Sequence, residues 1–350
     1  SKSKIIVNIH YYENALLETT RIWECLSLNK LIVSEKSVDI EEHNDLFGLV
    51  DFVEINDVDT FIKRINYWLG NETHRKNRIS ENNHTIKKRI NKFDFFFFRF
   101  LLAHENISFN EFWNTCGKNL KLNNEKITCL TLPEFTERKK EFKKTNSIQV
   151  NFFNGLKHYK HGWIGCGMSY KLMIKIAQQQ KFKRITICED DVKFLPDFEK
   201  RFNIIGSHLE ATADSWDIFS GFMSDISEDI IIKEMIYLND HVILSINKMI
   251  STVFNCYNST SYDFILTWDE NNFDVYTNTI DRFLEQNNGL SILLSFPFLV
   301  EHKESLQSII WGFQNDKYNE LINKSIQTLE KKISIHKALS NHVHSPLLSR

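Results

Sequence analysis

Short apolar runs alternate with longer amphipathic segments over the first 70 residues of the chain. Three apolar, β-branched runs predict buried strands, at residues 4–9, 30–34 and 49–54. Two segments with apolar residues near helical spacing predict helices, at 14–28 and 57–69, and Asp57 is the expected N-cap of the second. This alternation is typical of parallel βαβ units, so we predict an α/β module at the start of the chain.

A second alternation of strands and helices begins at residue 126. The predicted strands are 126–132, 148–153, 183–188, 216–220, 242–246 and 251–256. The predicted helices are 134–145, 168–180 and 277–286, and from about residue 314 the pattern is again helical. We therefore predict a second α/β domain that is followed by a helical C-terminus.

The segment between the two alternations changes character along its length. Residues 72–92 are polar and basic, which predicts a solvated helix or linker, with a polyanion-binding patch as the alternative. Residues 93–114 are rich in Phe and predict aromatic helices that pack on the main body. We place the domain boundaries at 1–120, 121–312 and 313–350.

Charge and composition exclude several classes of protein. The 43 Lys and Arg residues balance 45 Asp and Glu residues, which argues against a nucleic-acid binder. The most apolar run, 95–103, is too short to span a bilayer, and we expect no signal peptide. Six Cys residues without CxxC spacing favour a reducing, cytoplasmic location over a disulfide framework.

Glycine and proline are scarce, with 11 and 4 residues in 350. An AT-rich genome, bacterial or viral, would produce this bias, so the remaining glycines are informative. Four of the 11 fall within residues 155–167. We expect tight turns and a close approach of the backbone to a phosphate there.

Three acidic residues directly follow a predicted strand, in the sequence Ile187-Cys188-Glu189-Asp190-Asp191. Open α/β sheets bind ligands at the carboxyl ends of their strands. Adjacent carboxylates repel one another unless a cation lies between them, and oxygen ligands of this kind suit Mn²⁺ or Mg²⁺. The alternative is an acidic turn that caps the next helix.

Three ordered motifs resemble the glycosyltransferase family 25 domain, which includes lipooligosaccharide and collagen galactosyltransferases. They are TCLTLPEFTERKKEF at 128–142, Gly165-Cys166-Gly167-Met168-Ser169-Tyr170, and ITICEDDVKFLPDF at 185–198. The similarity covers roughly residues 126–310. The first motif has Thr131 where the family has Asn, and the second has Tyr170 where the family has His.

The resemblance implies a GT-A fold, a Rossmann-like domain with a mixed sheet, that binds a UDP-sugar donor. Asp191 would hold the metal, helped by Glu189, and His302, near the end of the domain, would be a further ligand. For His302 the alternative is a surface position after a strand. The residues implied in donor binding are Leu132, Pro133, Arg138, Ser169, Glu189 and Asp190. For Arg138 the alternative is a solvated position on a charged helix.

The family inverts the anomeric centre, which requires a base that deprotonates the attacking hydroxyl. Asp281 matches a DxFL-like stretch of the family and is the first candidate, and Asp225 is the second. Each has a turn or N-cap role as its alternative. Trp163 and Trp216 are candidates for stacking on sugar rings, with core packing as the default.

Residues 4–69 resemble the C-terminal half of a GT-B glycosyltransferase. By this resemblance Glu24 corresponds to the acid that binds the nucleotide ribose, with Glu18 and Arg21 on about the same helix face. Because only one half of that fold is present, we expect a truncated or degenerate module, and a scaffold without a ligand is the alternative.

The sequence thus predicts a metal-dependent inverting glycosyltransferase that moves galactose or glucose to a hydroxyl of a glycan, glycolipid or protein. A non-catalytic protein that binds nucleotide sugars or carbohydrate is the alternative, and a metal-dependent phosphoesterase or nuclease is a weaker one. The amphipathic helix at about 315–338 could pack on the domain, pair with a second copy as a homodimer, or contact a membrane surface. Packing on the domain is the default.

Overall fold

The computed structural model describes residues 3–238, 241–308 and 310–343. The packing of Cα atoms divides the chain into two compact units, one ending at Asp94 and one beginning at Phe95. The division falls inside a long helix, Glu72–Ala103 (α3). The predicted boundaries at 120 and 312 stay predictions.

The first unit is a three-stranded parallel sheet with helices. Its strands are Ile5–Asn8 (β1), Leu31–Glu35 (β2) and Asp51–Val53 (β3), in the order β1-β2-β3. Its helices before α3 are Thr19–Ser27 (α1) and Val58–Gly70 (α2), with a 3-10 turn at Ile40–His43. The predicted strand–helix alternation is confirmed. Asp57 accepts a hydrogen bond from the Thr60 N–H at 3.0 Å, which confirms it as the N-cap of α2.

Two apolar clusters in this unit bury both faces of its sheet. One contains Ile22, Leu26 and Ile32, and the other contains Leu31 and Val33. Since consecutive β2 side chains point to opposite faces, both faces of the strand are buried, as a parallel sheet requires. The helix predicted from residue 14 begins only at Thr19, because Asn14 has a positive φ of 61° that breaks a right-handed helix.

The second unit contains ten strands and eight further helices within the described residues. The strands are Thr128–Thr131 (β4), Asn151–Asn154 (β5), Arg184–Glu189 (β6), Val192–Phe194 (β7), Ile218–Ser220 (β8), Ile232–Leu238 (β9), His241–Ile246 (β10), Phe254–Asn258 (β11), Ile292–Phe296 (β12) and Val300–His302 (β13). The helices are Phe109–Thr115 (α4), Thr136–Thr145 (α5), Gly162–Gln179 (α6), Phe198–Ala211 (α7), Tyr262–Leu266 (α8), Val275–Asn278 (α9), Ile280–Glu285 (α10) and Asn319–Val343 (α11).

Eight of these strands form one mixed sheet in the order β5-β4-β6-β11-β8-β12-β10-β9. Strands β5, β4 and β6 are mutually parallel, whereas β11 runs antiparallel to both of its neighbours. The remaining two strands, β7 and β13, form a separate antiparallel ribbon. The predicted mixed α/β architecture with a helical C-terminus is therefore confirmed. No helix of the described chain is long and apolar enough to cross a bilayer.

The glycine-rich segment is only partly a loop, and its expected approach to a phosphate stays a prediction. Helix α6 begins at Gly162, so Gly165 and Gly167 lie within it. A Cβ on Gly167 would lie 2.2 Å from the Trp268 ring, and one on Gly165 would lie 3.0 Å from the Leu156 carbonyl oxygen. These glycines therefore let α6 pack closely on a buried Trp and on the preceding loop.

We predict that Gly167→Ala destabilises the protein by roughly 1–3 kcal/mol, the usual cost of an overpacked core. Trp268 is fully buried and donates its indole N–H to the Asn278 carbonyl at 2.9 Å, so it cannot easily move aside. Gly206→Ala in α7 is the matched control, because a Cβ there meets no atom within 4 Å. Urea unfolding should show the control gaining up to about 1 kcal/mol. Equal stability of the two variants would contradict the packing role.

Candidate functional site

The acidic residues form a tight turn at the carboxyl edge of the parallel strands. Strand β6 ends at Glu189, Asp190 and Asp191 make the turn, and β7 follows at once. The alternative in which these residues cap the next helix is wrong, because α7 begins only at Phe198. Strand β4 ends beside β6, with Leu130 in register with Glu189, so the loop after β4 reaches the same place.

Asp190 is buried and saturated by donors from its own domain. The Thr131 hydroxyl donates to its Oδ2 at 2.7 Å, and Arg138 Nε donates to its Oδ1 at 2.9 Å. Burial raises the pKa of Asp190 above its ordinary value, although the Arg138 charge opposes that shift. Thr131 replaces the Asn of the family motif and still donates to the cluster. Asp190 therefore fixes Arg138 and the β4 loop.

Asp191 meets His302 because of the register between β7 and β13. His302 lies opposite Val192 in that ribbon, one residue from Asp191. The distance from His302 Nε2 to Asp191 Oδ2 is 3.2 Å. The same oxygen accepts from Asn315 Nδ2 at 3.3 Å and from Arg138 Nη2 at 3.2 Å.

Glu189 and Asp191, the first and last acids of the turn, have pKa values that are shifted in opposite directions. Burial opposes the ionisation of Asp191, but its hydrogen bond with His302 and the charges of His302 and Arg138 hold its pKa well below the usual range. Burial and the charge of Asp191 raise the pKa of Glu189 to about 7. Burial alone would lower the pKa of His302, but Asp191 raises it.

A large cavity of about 780 Å³ opens beside the cluster. Its walls include Glu189, Asp191, His302 and both candidate bases, Asp281 and Asp225. The structure thus brings together five residues that the sequence singled out from four separate stretches of the chain.

The two candidate bases differ in their partners. Asp281 accepts a hydrogen bond from the Arg282 backbone N–H at 2.9 Å and is in no ion pair within the described residues. Asp225 Oδ2 lies 3.7 Å from Arg282 Nη2, and that guanidinium also contacts Glu285 at 3.0 Å. A base must accept a proton, so the unpaired carboxylate of Asp281 suits the role better.

A second cavity of about 220 Å³ also borders the acidic turn. It is lined by Leu132, Arg138, Ser169 and all three acidic residues, whereas Pro133 is not part of its wall. The Ser169 hydroxyl is engaged by the backbone, since it accepts from the Leu156 N–H at 2.8 Å and donates to the Gly165 carbonyl at 2.6 Å. Arg138 is nearly buried and ion-paired, which corrects the alternative of a solvated position.

Glu189 and Asp191 line both cavities, together with Cys166, Ser308 and Ile310. The two spaces therefore meet at the acidic turn. Such an arrangement suits a reaction between two molecules that occupy the two cavities.

Asn315 is a site residue that the sequence did not reveal. Its amide Nδ2 contacts Asp191, lies 3.0 Å from His302 Nε2 and donates to the Lys303 carbonyl at 3.1 Å. It precedes α11, where an Asn is most simply explained as part of a helix start. No local pattern in the sequence marks it as a site residue.

The tryptophans and the candidate residues of the first unit have other surroundings. Trp163 is buried at the wall of the larger cavity. Trp216 donates its indole N–H to the Leu209 carbonyl and packs in the core, as its default role predicted. On α1, Glu18 and Arg21 form an exposed ion pair at 3.3 Å, and Glu24 is exposed. The ribose-binding role of Glu24 stays a prediction.

The carboxylates of Glu189 and Asp191 and the imidazole of His302 are chemically suitable ligands for a hard divalent cation. Glu189 Oε1 and Asp191 Oδ1 are buried and have no hydrogen-bond partner among the residues that the structure describes, and the His302 imidazole contacts Asp191. Buried carboxylate oxygens without partners are costly, and a cation would satisfy them. As placed, however, no three His, Cys, Asp or Glu side chains among the described residues converge as a metal centre. Instead, Arg138 and Asn315 donate hydrogen bonds to Asp191 Oδ2.

Comparison with known proteins does not show the family of this chain. No protein-family model matches the chain, and no curated protein matches it. The resemblance to glycosyltransferase family 25 thus rests on the three motifs. One similar solved structure is the crystal structure of a glycosyltransferase involved in the glycosylation of the major capsid of PBCV-1. It is 10% identical over 56% of this chain and 88% of that chain, with a TM-score of 0.29. A TM-score of this size does not establish a shared fold.

Proposed function

We propose that this chain is a glycosyltransferase that moves galactose or glucose from a UDP-sugar to a hydroxyl of a glycan, glycolipid or protein, with inversion. One observation carries the proposal. Two cavities meet at Glu189 and Asp191, and the larger one also contains an unpaired carboxylate, Asp281. Transfer needs a donor space, an acceptor space and a base at their junction.

Negative charge develops on the leaving nucleotide as the bond between sugar and phosphate breaks. Asp191, Glu189 and His302 would hold Mn²⁺ or Mg²⁺, which neutralises such charge when bound. Arg138 lines the smaller cavity and offers a guanidinium to phosphate oxygens, while Leu132 contributes apolar surface there. Asp281 takes the proton of the acceptor hydroxyl.

Exposed aromatic residues suit the larger cavity to a sugar acceptor. Tyr276 is 85% exposed and Trp311 is 47% exposed, and both belong to its wall. Aromatic faces stack on the apolar faces of pyranose rings. The acceptor therefore belongs to the carbohydrate class in this proposal, whatever carries it.

The second candidate is a non-catalytic protein that binds nucleotide sugars. The observation in its favour is that Arg138 and Asn315 already engage Asp191, and no three ligands converge in the described chain. In that case the acidic turn would be a structural ion-pair cluster.

Incubation with UDP-galactose and UDP-glucose in Mn²⁺ separates the two candidates. Many glycosyltransferases release UDP slowly when water replaces the acceptor, so UDP formation measures the chemistry without a known acceptor. We expect UDP release above the rate without protein, and its loss with EDTA. A shift in melting temperature with UDP-sugar and Mn²⁺, but no UDP release with any hexose donor or sugar acceptor, would favour the binding protein.

A further inference from the structure

The Arg138 side chain lies inside the acidic cluster. Only 12% of the side chain is exposed, and it contacts both Asp190 and Asp191. Two of its nitrogens, Nε and Nη2, donate to Asp190 Oδ1, and Nη2 also reaches Asp191 Oδ2 at 3.2 Å. The remaining Nη1 donates to the Gln307 carbonyl at 2.9 Å. The hold on Asp190 is therefore double, and the hold on Asp191 is single and longer.

The cluster needs this cation because three carboxylates share one turn. Within the described residues, the other basic groups nearest to it are His302, at 3.2 Å from Asp191, and the buried Lys303. The Lys303 Nζ has no hydrogen-bond partner and lies 5.5 Å from the centre of the Phe142 ring. Arg138 is thus the cation that bridges two of the acids directly.

From this geometry we propose that Arg138 is a built-in counter-ion that opposes binding of a divalent cation at Asp191 until the donor enters. The inference rests on the proposed function, because it takes a cation and a diphosphate as ligands of the site. A divalent cation and a guanidinium compete for the same carboxylate. When the cation takes Asp191, Arg138 stays anchored on Asp190 and its freed hydrogen-bonding capacity faces the smaller cavity.

This arrangement couples two ligands through one side chain. A diphosphate offers Arg138 new hydrogen-bond acceptors. It therefore lowers the free-energy cost of breaking the contact between Arg138 and Asp191 when the cation binds. Cation and nucleotide should therefore bind cooperatively in the wild-type protein, and the cooperativity should fall when Arg138 is removed.

The test is the affinity for Mn²⁺ alone, measured by the electron paramagnetic resonance signal of free Mn²⁺. We expect Arg138→Met to bind Mn²⁺ at least about tenfold more tightly than wild type. The variant lacks the positive charge that lies within 4 Å of Asp191, the proposed ligand of the cation, and that repels the cation. Addition of UDP should then improve Mn²⁺ binding less in the variant than in wild type. Arg138→Gln, which keeps a donor for Asp190, serves if the Met variant fails to fold.

Arg201→Met is the matched control for loss of a buried arginine. Arg201 is 9% exposed, and its guanidinium donates to the carbonyl oxygens of Pro297 and Phe298, outside the acidic turn. The Arg201→Met variant should bind Mn²⁺ with the same affinity as wild type. Unchanged or weaker Mn²⁺ binding in both Arg138 variants, or no Mn²⁺ binding in any protein, overturns the proposal. Tighter binding in a protein that transfers no hexose would support the counter-ion and refute the transferase.

Discussion

Asp281→Asn is expected to lower the rate of sugar transfer by roughly 10²–10⁴-fold, the usual contribution of a general base. The amide keeps the size of the side chain and still accepts the 2.9 Å hydrogen bond from the Arg282 N–H, so the fold should be retained. Binding of the UDP-sugar should change little, because Asp281 lines the larger cavity and not the smaller one. The loss should therefore appear in kcat.

Asp225→Asn is the matched control for this prediction. It removes a carboxylate from the same cavity, but one that faces Arg282 at 3.7 Å. A surface ion pair of this length contributes at most about 1 kcal/mol, so we expect a change in rate of less than tenfold. The measurement is UDP release, or acceptor glycosylation once an acceptor is known. A larger loss for Asp225→Asn than for Asp281→Asn would reverse the assignment of the base.

Much of the order of strands and helices could be predicted because it depends on local periodicity, although helix α7 and strands β7, β9 and β13 were not predicted. Residues 4–9 and 30–34 are β-branched and apolar, and each became a strand of the parallel sheet. The acidic turn was likewise legible, since a buried strand ending in carboxylates is a local pattern. Strand β9 was missed because charged residues such as Lys233 and Glu234 obscure its alternation, as is common for an edge strand.

The partners within the site depend on tertiary register and were less accessible. His302 reaches Asp191 only because β13 pairs with β7 in one particular register, which no local pattern specifies. Asn315 arrives from a segment more than a hundred residues away in sequence. The role of Gly167 was misjudged for the same reason, since Trp268 lies far along the chain, just after α8. Local patterns therefore located the acidic turn, and the family resemblance supplied its neighbours His302 and Arg138, whereas Asn315 was missed.

The second large effect concerns Asp191 and Glu189, which should respond oppositely to neutralisation in the metal-free protein. Asp191→Asn is expected to destabilise it by about 3–5 kcal/mol, the cost of breaking a buried ion pair. The pKa of Asp191 lies below its unfolded value, so its ionised form stabilises the fold at every pH above about 4, and stability is lost only as pH falls through the lowered pKa. Because Asp191 also raises the pKa of His302 and of Glu189, the deficit of the variant should be largest near pH 6 and should shrink as pH rises to 8.

Glu189→Gln should instead stabilise the metal-free protein at alkaline pH. The pKa of Glu189 is raised from 4.5 to about 7, so the folded state holds a proton that the unfolded state has released, and stability falls as pH rises through this window. Gln removes that penalty, and at roughly 1.4 kcal/mol per pKa unit the gain reaches up to about 3 kcal/mol at pH 8. At pH 4 the gain should vanish.

Urea unfolding of wild type and the two variants in EDTA, from pH 4 to 8, measures both effects. All three proteins keep His302 and Arg138, so each variant differs from wild type only at the substituted carboxyl group. Adding Mn²⁺ then tests whether the two residues bind a cation. A ligand that binds only the folded state raises the stability of that state. Wild type should gain stability from Mn²⁺, and both variants should gain much less, including the one that is more stable without metal. A residue kept at a cost to folding and needed for the cation is what a functional site requires. If Glu189→Gln is less stable than wild type at pH 8 and binds Mn²⁺ equally well, Glu189 is a structural residue and the cation site lies elsewhere.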